Sequence, residues 1–225
     1  LPMQERMTLA NMTAELGGQT GLIAPDQITR DYLAAAGAPI GEDEAASWQT
    51  DPDAALLVHH VFDADTLEPQ VAAPHSPAKA VDISACELVK VDVDYIGACT
   101  GAKLDDLRMA ASVLEGRKPA SGVELLVAPA SRRDQDTAAA EGLMAIFEEA
   151  GARILPNACG ICAGYGTERL GEDATCISST ARNFRGRMGA ASADVYLASP
   201  YTVAASAIAG RIADPRDIMA GGGAS

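Results

Sequence analysis

The sequence predicts an α/β protein in which a three-layer α/β/α domain with a mostly parallel sheet follows part of a second α/β domain. From about residue 81, short apolar runs that suit buried strands alternate with segments of helical periodicity. Two cysteine-containing turns each follow one of these predicted strands. Since ligands of such sheets bind beyond the carboxyl ends of the strands, we expect both turns at one sheet edge.

The first predicted element is a helix over residues 3–16, where apolar residues recur at helical spacing. Gly17 ends it in the way that a C-terminal glycine ends a helix. Asn11 and Glu15 are four positions apart, so a continuous helix places them on one face. A polar pair on an exposed face is the simpler interpretation of that spacing.

A second helix begins near Asp26, which can cap its first turn, and ends at Gly37. Residues 56–62 are apolar enough to form a strand. Residues 73–77 contain two prolines and are typical of a linker. We therefore predict two domains, residues 1–77 and residues 78–225.

The second domain is predicted as an alternation of strands and helices. In chain order these are a strand within 89–96, a helix at 104–114, a strand at 123–128, a helix at 131–150, strands at 153–155, 174–178 and 195–198, and a helix at 202–208.

Charge and composition exclude several classes of protein. The net charge of −14 opposes nucleic-acid binding, and no apolar run is long enough to cross a membrane. The first residues are polar and show no signal peptide, and five cysteines are an odd number. We expect a cytoplasmic protein with reduced thiols, and Leu1 suggests the later part of a longer polypeptide.

Three cysteines lie in turns of small residues: Cys99 in one, and Cys159 with Cys162 in the other. A structural zinc site would require a fourth protein ligand, and a thioredoxin-like pair would not need Cys99. A [4Fe–4S] cluster with three thiolates and one open iron fits these residues better. The spacing alone leaves these alternatives open. Cys86 and Cys176 lie in strand-like segments and are interpreted as buried structural thiols.

Three of the chain's arginines lie within six consecutive positions: Arg182, Arg185 and Arg187. Arginine suits bidentate recognition of carboxylates, although a solvated basic loop explains the pattern equally well. The three histidines are interpreted as surface or loop residues, because His59 and His60 are adjacent and His75 is isolated.

Several of these motifs together resemble the aconitase and 3-isopropylmalate dehydratase large-subunit family. They occur in the family's order: Met7-Thr8-Leu9-Ala10-Asn11-Met12-Thr13-Ala14-Glu15, Ile96-Gly97-Ala98-Cys99-Thr100-Gly101, Cys159-Gly160-Ile161-Cys162, Ala181-Arg182-Asn183-Phe184-Arg185-Gly186-Arg187 and Ser199-Pro200-Tyr201-Thr202-Val203-Ala204-Ala205. The resemblance covers nearly the whole chain.

The resemblance implies an iron–sulfur hydro-lyase that isomerises a hydroxy di- or tricarboxylate, such as 3-isopropylmalate, by dehydration and rehydration. It implies a [4Fe–4S] cluster held by Cys99, Cys159 and Cys162. The expected partners are the N-terminal part of the large subunit and a small-subunit swivel domain that carries a serine base.

The resemblance also assigns roles to four polar residues. Glu15 corresponds to an active-site glutamate and Asn11 to an asparagine near the cluster. Arg182 and Arg187 correspond to arginines that bind the carboxylates of the substrate.

Two positions depart from the family pattern, which usually has asparagine where this chain has Gly101 and Ala181. Each change removes a polar group expected near the cluster or the substrate. The rival interpretation is a catalytically degenerate scaffold or assembly subunit that keeps the fold without its own activity. A structural zinc protein is a further alternative to the hydro-lyase.

Overall fold

A computed structural model describes residues 1–157, 159–165 and 167–221. The chain divides into two compact units, Leu1–Leu67 and Glu68–Ser225. This division lies before the linker predicted at residues 73–77, because the strand Gln70–Ala72 pairs within the sheet of the second unit.

The first unit is helical in the part of the chain that the structure describes. Its elements are the helices α1 (Met3–Met12), α2 (Gln27–Ala35) and α3 (Glu42–Ser47), with 3₁₀ turns at Thr13–Leu16 and Ala64–Thr66.

The helix predicted at residues 3–16 changes to a 3₁₀ turn after Met12 and ends at Gly17, which has a φ of 80°. Buried Arg6 donates to both carboxylate oxygens of Asp26 at 2.8 Å, and Asp26 caps α2 by accepting from the Thr29 amide. This ion pair, together with the cap, joins α1 to the start of α2.

The strand predicted at residues 56–62 does not form among the described residues. The composition of this segment is that of a strand. In the structure the segment pairs with no other strand among the described residues, and the side chains of Leu57 and Phe62 are exposed. A strand requires a neighbour for its backbone hydrogen bonds, and the described first unit contains no strand to provide them.

The second unit is built on a sheet that has seven strands in the described residues. Its order is β2-β1-β7-β6-β3-β4-β5, and β3 to β7 are parallel where they pair. The strands are β1 (Gln70–Ala72), β2 (Ala80–Asp82), β3 (Val93–Gly97), β4 (Glu124–Ala128), β5 (Arg153–Ile154), β6 (Thr175–Ser178) and β7 (Asp194–Leu197). The predicted α/β class with a mostly parallel sheet is confirmed.

Six helices of the second unit are described: α4 (Ala98–Gly101), α5 (Leu104–Leu114), α6 (Arg132–Ala140), α7 (Leu143–Ala150), α8 (Pro200–Ala209) and α9 (Pro215–Gly221). The helix predicted at 131–150 is divided in two by Gly142, which has a φ of 81°. Helix α9 was not anticipated from the sequence.

The two faces of the sheet are covered differently. Helices α5 to α8 pack on one face in a cluster that includes Leu107, Phe147 and Val203. The other face is covered by the loops between β5 and β7, which contribute Ile161 and Met188. Among the described residues the third layer is therefore made of loops, and these loops carry two of the candidate ligands.

No helix in the described residues combines the length and apolar character that crossing a membrane requires.

Asp94 is an exception inside the core. It lies on β3 between β4 and β6, is fully buried, and neither of its carboxylate oxygens has a hydrogen-bond partner among the described residues. Burial raises the pKa of this carboxyl well above its ordinary value. A buried, unpaired polar group of this kind destabilises the folded state.

We expect the substitution Asp94→Val to raise the free energy of unfolding at pH 8 by about 1–3 kcal/mol, since it replaces an unpaired carboxyl with an apolar side chain. Because the folded-state pKa of Asp94 is raised, this carboxyl destabilises the fold least below pH 3.8, its ordinary value, and its cost to stability grows as pH rises towards the folded-state pKa. Urea unfolding between pH 5 and 8 should show a shallower decline for the variant. A variant less stable than wild type at pH 8 contradicts this account.

Candidate cluster-binding site

The Cys99 turn is formed where β3 ends and α4 begins. The Ser179 hydroxyl accepts a hydrogen bond from the Gly97 amide at 3.0 Å and donates one to the Gly101 carbonyl at 2.8 Å, so it joins both ends of the turn. Buried Lys103 donates from Nζ to the Thr100 carbonyl at 2.7 Å. These contacts fix the backbone that carries the thiol.

The second turn contains a 3₁₀ helix, Gly160–Ala163, after β5. Its Cys162 amide donates to the Cys159 carbonyl at 2.8 Å, and the phenol of Tyr95 donates to the same carbonyl at 3.2 Å. Tyr95 lies on β3 and is fully buried. One side chain of the strand that precedes Cys99 therefore also supports the turn that carries Cys159.

Three glycines let the backbone of these turns approach its neighbours closely. A Cβ atom on Gly101 would lie 2.0 Å from the Ser179 carbonyl oxygen, and one on Gly164 would lie 2.7 Å from the Arg187 carbonyl oxygen. A Cβ on Gly97 would meet the Tyr95 ring at 2.1 Å. Glycine is required at these positions because any side chain would push the segments apart.

The three predicted ligand thiols differ in exposure. Cys99 and Cys159 are exposed, whereas Cys162 is buried. Burial raises the pKa of the Cys162 thiol. The positive charge of Arg187 and a hydrogen bond from its guanidinium oppose this rise, and the charges of Cys159 and Cys99 add to it. Arg187, Cys159 and Cys99 therefore lie close enough to Cys162 to influence its thiol electrostatically.

The other two thiols are buried away from solvent, as predicted. Cys86 lies in the core cluster on the helical face of the sheet, and Cys176 is fully buried on β6.

The arginine loop is anchored by Asn183, which is fully buried. Its side-chain amide donates to the Ala73 and Val195 carbonyls, each at 2.9 Å. Arg187 is half-buried, and its Nε–H has no hydrogen-bond partner among the described residues. Arg182 is also half-buried, and Arg185 is exposed. The loop thus places a buried guanidinium N–H near Cys162, and an anion can accept a hydrogen bond from this N–H.

Asn11 and Glu15 belong to the first unit. Asn11 is an exposed residue of α1, and half-buried Glu15 lies in the 3₁₀ turn that follows. Their predicted roles at the cluster stay predictions.

A single metal ion and an iron–sulfur cluster require different arrangements of ligands. In the described part of the chain, no three His, Cys, Asp or Glu side chains form a group that could hold one metal ion. Zinc requires sulfur ligands at about 2.3 Å, whereas a four-iron cluster is larger and takes thiolates from more widely separated turns. Cys99, Cys159 and Cys162 are the residues that could hold such a cluster, and this assignment stays a prediction.

Comparison with known proteins decides the family. The model of the aconitase family (aconitate hydratase) matches residues 1–89 and 84–210. The chain belongs to the aconitase family. The matched residues include all of the motifs from Met7 to Ala205.

Curated relatives include the 3-isopropylmalate dehydratase large subunit 1 of Pyrococcus furiosus, which is 43% identical over 97% of this chain and 51% of its own length. The large subunit 2 of Archaeoglobus fulgidus is 42% identical over 97% of this chain and 52% of its own. A probable methanogen homoaconitase large subunit of Methanosarcina mazei is 42% identical over 97% and 54%. The chain spans about half the length of these relatives.

Among solved structures, the aconitase X of Thermococcus kodakaraensis (holo-form) overlays on 51% of this chain and 28% of its own chain. The TM-score is 0.33 and the sequence identity is 22%.

The sequence did not reveal the residues that support the thiols. Tyr95, Ser179 and Lys103 act through contacts between distant segments, which local spacing does not report. A sequence signal did exist for Asn183, which lies between two of the predicted anion-binding residues.

We expect Gly101→Ala to lower the free energy of unfolding of the second unit by about 1–3 kcal/mol, because the new methyl group overlaps the Ser179 carbonyl. Gly171→Ala is the matched control, since a Cβ there meets nothing within 4 Å and Gly171 has no positive φ. Thermal unfolding followed by far-ultraviolet circular dichroism measures both. Equal midpoints for the two variants contradict the close approach.

Proposed function

We propose that this chain is the cluster-bearing part of a hydro-lyase large subunit that isomerises a hydroxy di- or tricarboxylate, such as 3-isopropylmalate, by dehydration and rehydration. The observation that supports the proposal is the close approach of the Cys159–Cys162 turn, at Gly164, to the Arg187 backbone, together with the electrostatic influence of Arg187, Cys159 and Cys99 on the Cys162 thiol. Membership of the aconitase family and relatives named 3-isopropylmalate dehydratase support the reaction class.

Cys99, Cys159 and Cys162 would hold a [4Fe–4S] cluster, and three protein ligands leave one iron open. When bound, the cluster supplies a Lewis acid for the substrate hydroxyl and a carboxylate. Lys103 and Ser179 hold the Cys99 turn in place, so this ligand needs little rearrangement to bind.

Arg182 and Arg187 orient the substrate through its carboxylates. The unpaired Nε–H of Arg187 is buried beside Cys162, where a charge-assisted hydrogen bond to a carboxylate is stronger than one in water. Glu15 would hydrogen-bond the water that leaves and re-enters, with Asn11 nearby. A serine from a small-subunit swivel domain would remove the proton beside a carboxylate.

The partners in this proposal are the small subunit and the N-terminal part of the large subunit. The relatives are named large subunits, and this chain spans about half their length. Activity is therefore expected from the assembled protein.

Cys162→Ser should abolish the broad visible absorbance of an iron–sulfur cluster after anaerobic reconstitution, because it removes one of three ligands. Cys86→Ser is the matched control: this thiol is also buried but lies on the helical face, so the absorbance should persist. Iron and sulfide analysis measures the result.

A wild-type chain that binds no iron and sulfide when assembled with its partners overturns the cluster assignment. A cluster without turnover of any of 3-isopropylmalate, homoaconitate, citrate and methyl-substituted malates favours the degenerate scaffold.

Arg187→Lys should lower kcat/KM of the assembled enzyme by about 10- to 100-fold, the expected loss for a charged hydrogen bond to a carboxylate. Arg185→Lys is the control in the same loop, since Arg185 is exposed and donates to the Ala191 carbonyl at 3.3 Å. Iron content should be the same in both variants. Equal kcat/KM values exclude the assigned role of Arg187.

A further inference from the structure

The first unit has almost no core of its own. Among residues 1–67, only Arg6 and Ala45 are buried. Large apolar side chains are instead exposed throughout this unit: Leu1, Met7, Leu9, Leu16, Leu22, Ile23, Ile28, Tyr32, Trp48, Leu56, Leu57, Val58, Val61, Phe62 and Leu67. Ordering a chain of this length requires apolar burial to offset the lost conformational entropy, so this surface calls for a partner.

Two features of this surface define the partner's shape. Leu22, Ile23, Leu33 and Trp48 are among the residues that line an apolar groove of about 550 Å³. Residues 56–62 have five apolar side chains and two histidines, a composition that suits a strand, but no strand lies beside them among the described residues. An unpaired segment of this kind can complete its hydrogen bonds by joining the edge of another sheet.

Charge distinguishes a second copy of this chain from a different polypeptide as the partner that covers this surface. Residues 1–67 contain eleven acidic residues and two basic ones, which is most of the chain's net charge of −14. A second copy would bring the same excess of negative charge to the interface, and like charges disfavour that contact. The occupant should therefore have an apolar centre and a basic rim.

The second unit offers no matching apolar surface in its described residues. Its exposed large apolar side chains are only Leu88, Tyr165, Phe184 and Met219. The curated relatives, by contrast, contain a further half of their length that this chain does not match.

We propose that residues 56–62 add a β-strand to a sheet of the polypeptide that corresponds to the other half of the relatives' length, and that this polypeptide fills the groove beside Trp48. The inference rests on the proposed function for the identity of the partner. It goes further by naming the surface, the mode of pairing and the charge of the partner.

Co-expression with a defined probe tests the proposal. The probe is the half of the Pyrococcus furiosus 3-isopropylmalate dehydratase large subunit 1 that this chain does not match. We expect a stable complex in which hydrogen exchange of the amides of residues 56–62 slows by at least 100-fold relative to the chain alone.

A matched pair of variants separates the surface from general effects of charge. Leu57→Asp places a carboxylate in the proposed strand and should weaken the complex by at least tenfold. Leu88→Asp makes the same change in the second unit and should leave the affinity within twofold. Leu57 is 100% exposed and Leu88 is 93% exposed, so neither change removes packing from the chain alone.

Three results overturn the proposal: no complex with the probe, a complex without slower exchange at residues 56–62, or equal affinities for the two variants. Protection of these amides in the chain alone also overturns it, because the occupant is then this chain or a second copy. None of these measurements requires a cluster, so a complex that forms but never binds iron counts only against the proposed function.

Discussion

Gly101 lies so close to the Ser179 carbonyl that no side chain fits between them, and the candidate site depends on this approach. The contact sets the separation between the Cys99 turn and the segment that leads into the arginine loop. Gly164 imposes the same restriction between the other cysteine turn and the Arg187 backbone. These close approaches of the backbone act together with the side chains of Tyr95 and Lys103, which support the two cysteine turns.

This restriction also bears on Gly101 as a departure from the usual family pattern. Asparagine, which the family pattern usually has here, cannot be placed on this backbone unless Ser179 moves. Gly101 is therefore part of a local solution in which the Ser179 hydroxyl joins both ends of the turn. The buried Ala181 has no comparable explanation in the structure.

Much of the fold could be predicted because it depends on local pattern. The helix at 104–114 follows apolar periodicity, and Gly210 ends α8 as expected. The cysteine turns were placed correctly after β3 and β5 because parallel strands share one functional edge.

Two of the failures come from dependence on distant segments, and one comes from a local backbone conformation. Residues 56–62 have the composition of a strand, but pairing requires a neighbour that local sequence does not specify. Gly142 divides a predicted helix because its left-handed conformation interrupts an otherwise continuous pattern. Tyr95 supports a carbonyl 64 positions away, and no spacing rule reports such a contact.

The unequal covering of the sheet has a consequence for the order of maturation. Regions held by loops open at lower free energy than regions held by packed helices. The helical face, which includes Phe147 and Val203, can therefore stay folded while the loops of the other face open and close. A scaffold of this kind can complete the folding of its helical face first, and the loops that carry Cys159 and Cys162 can settle last.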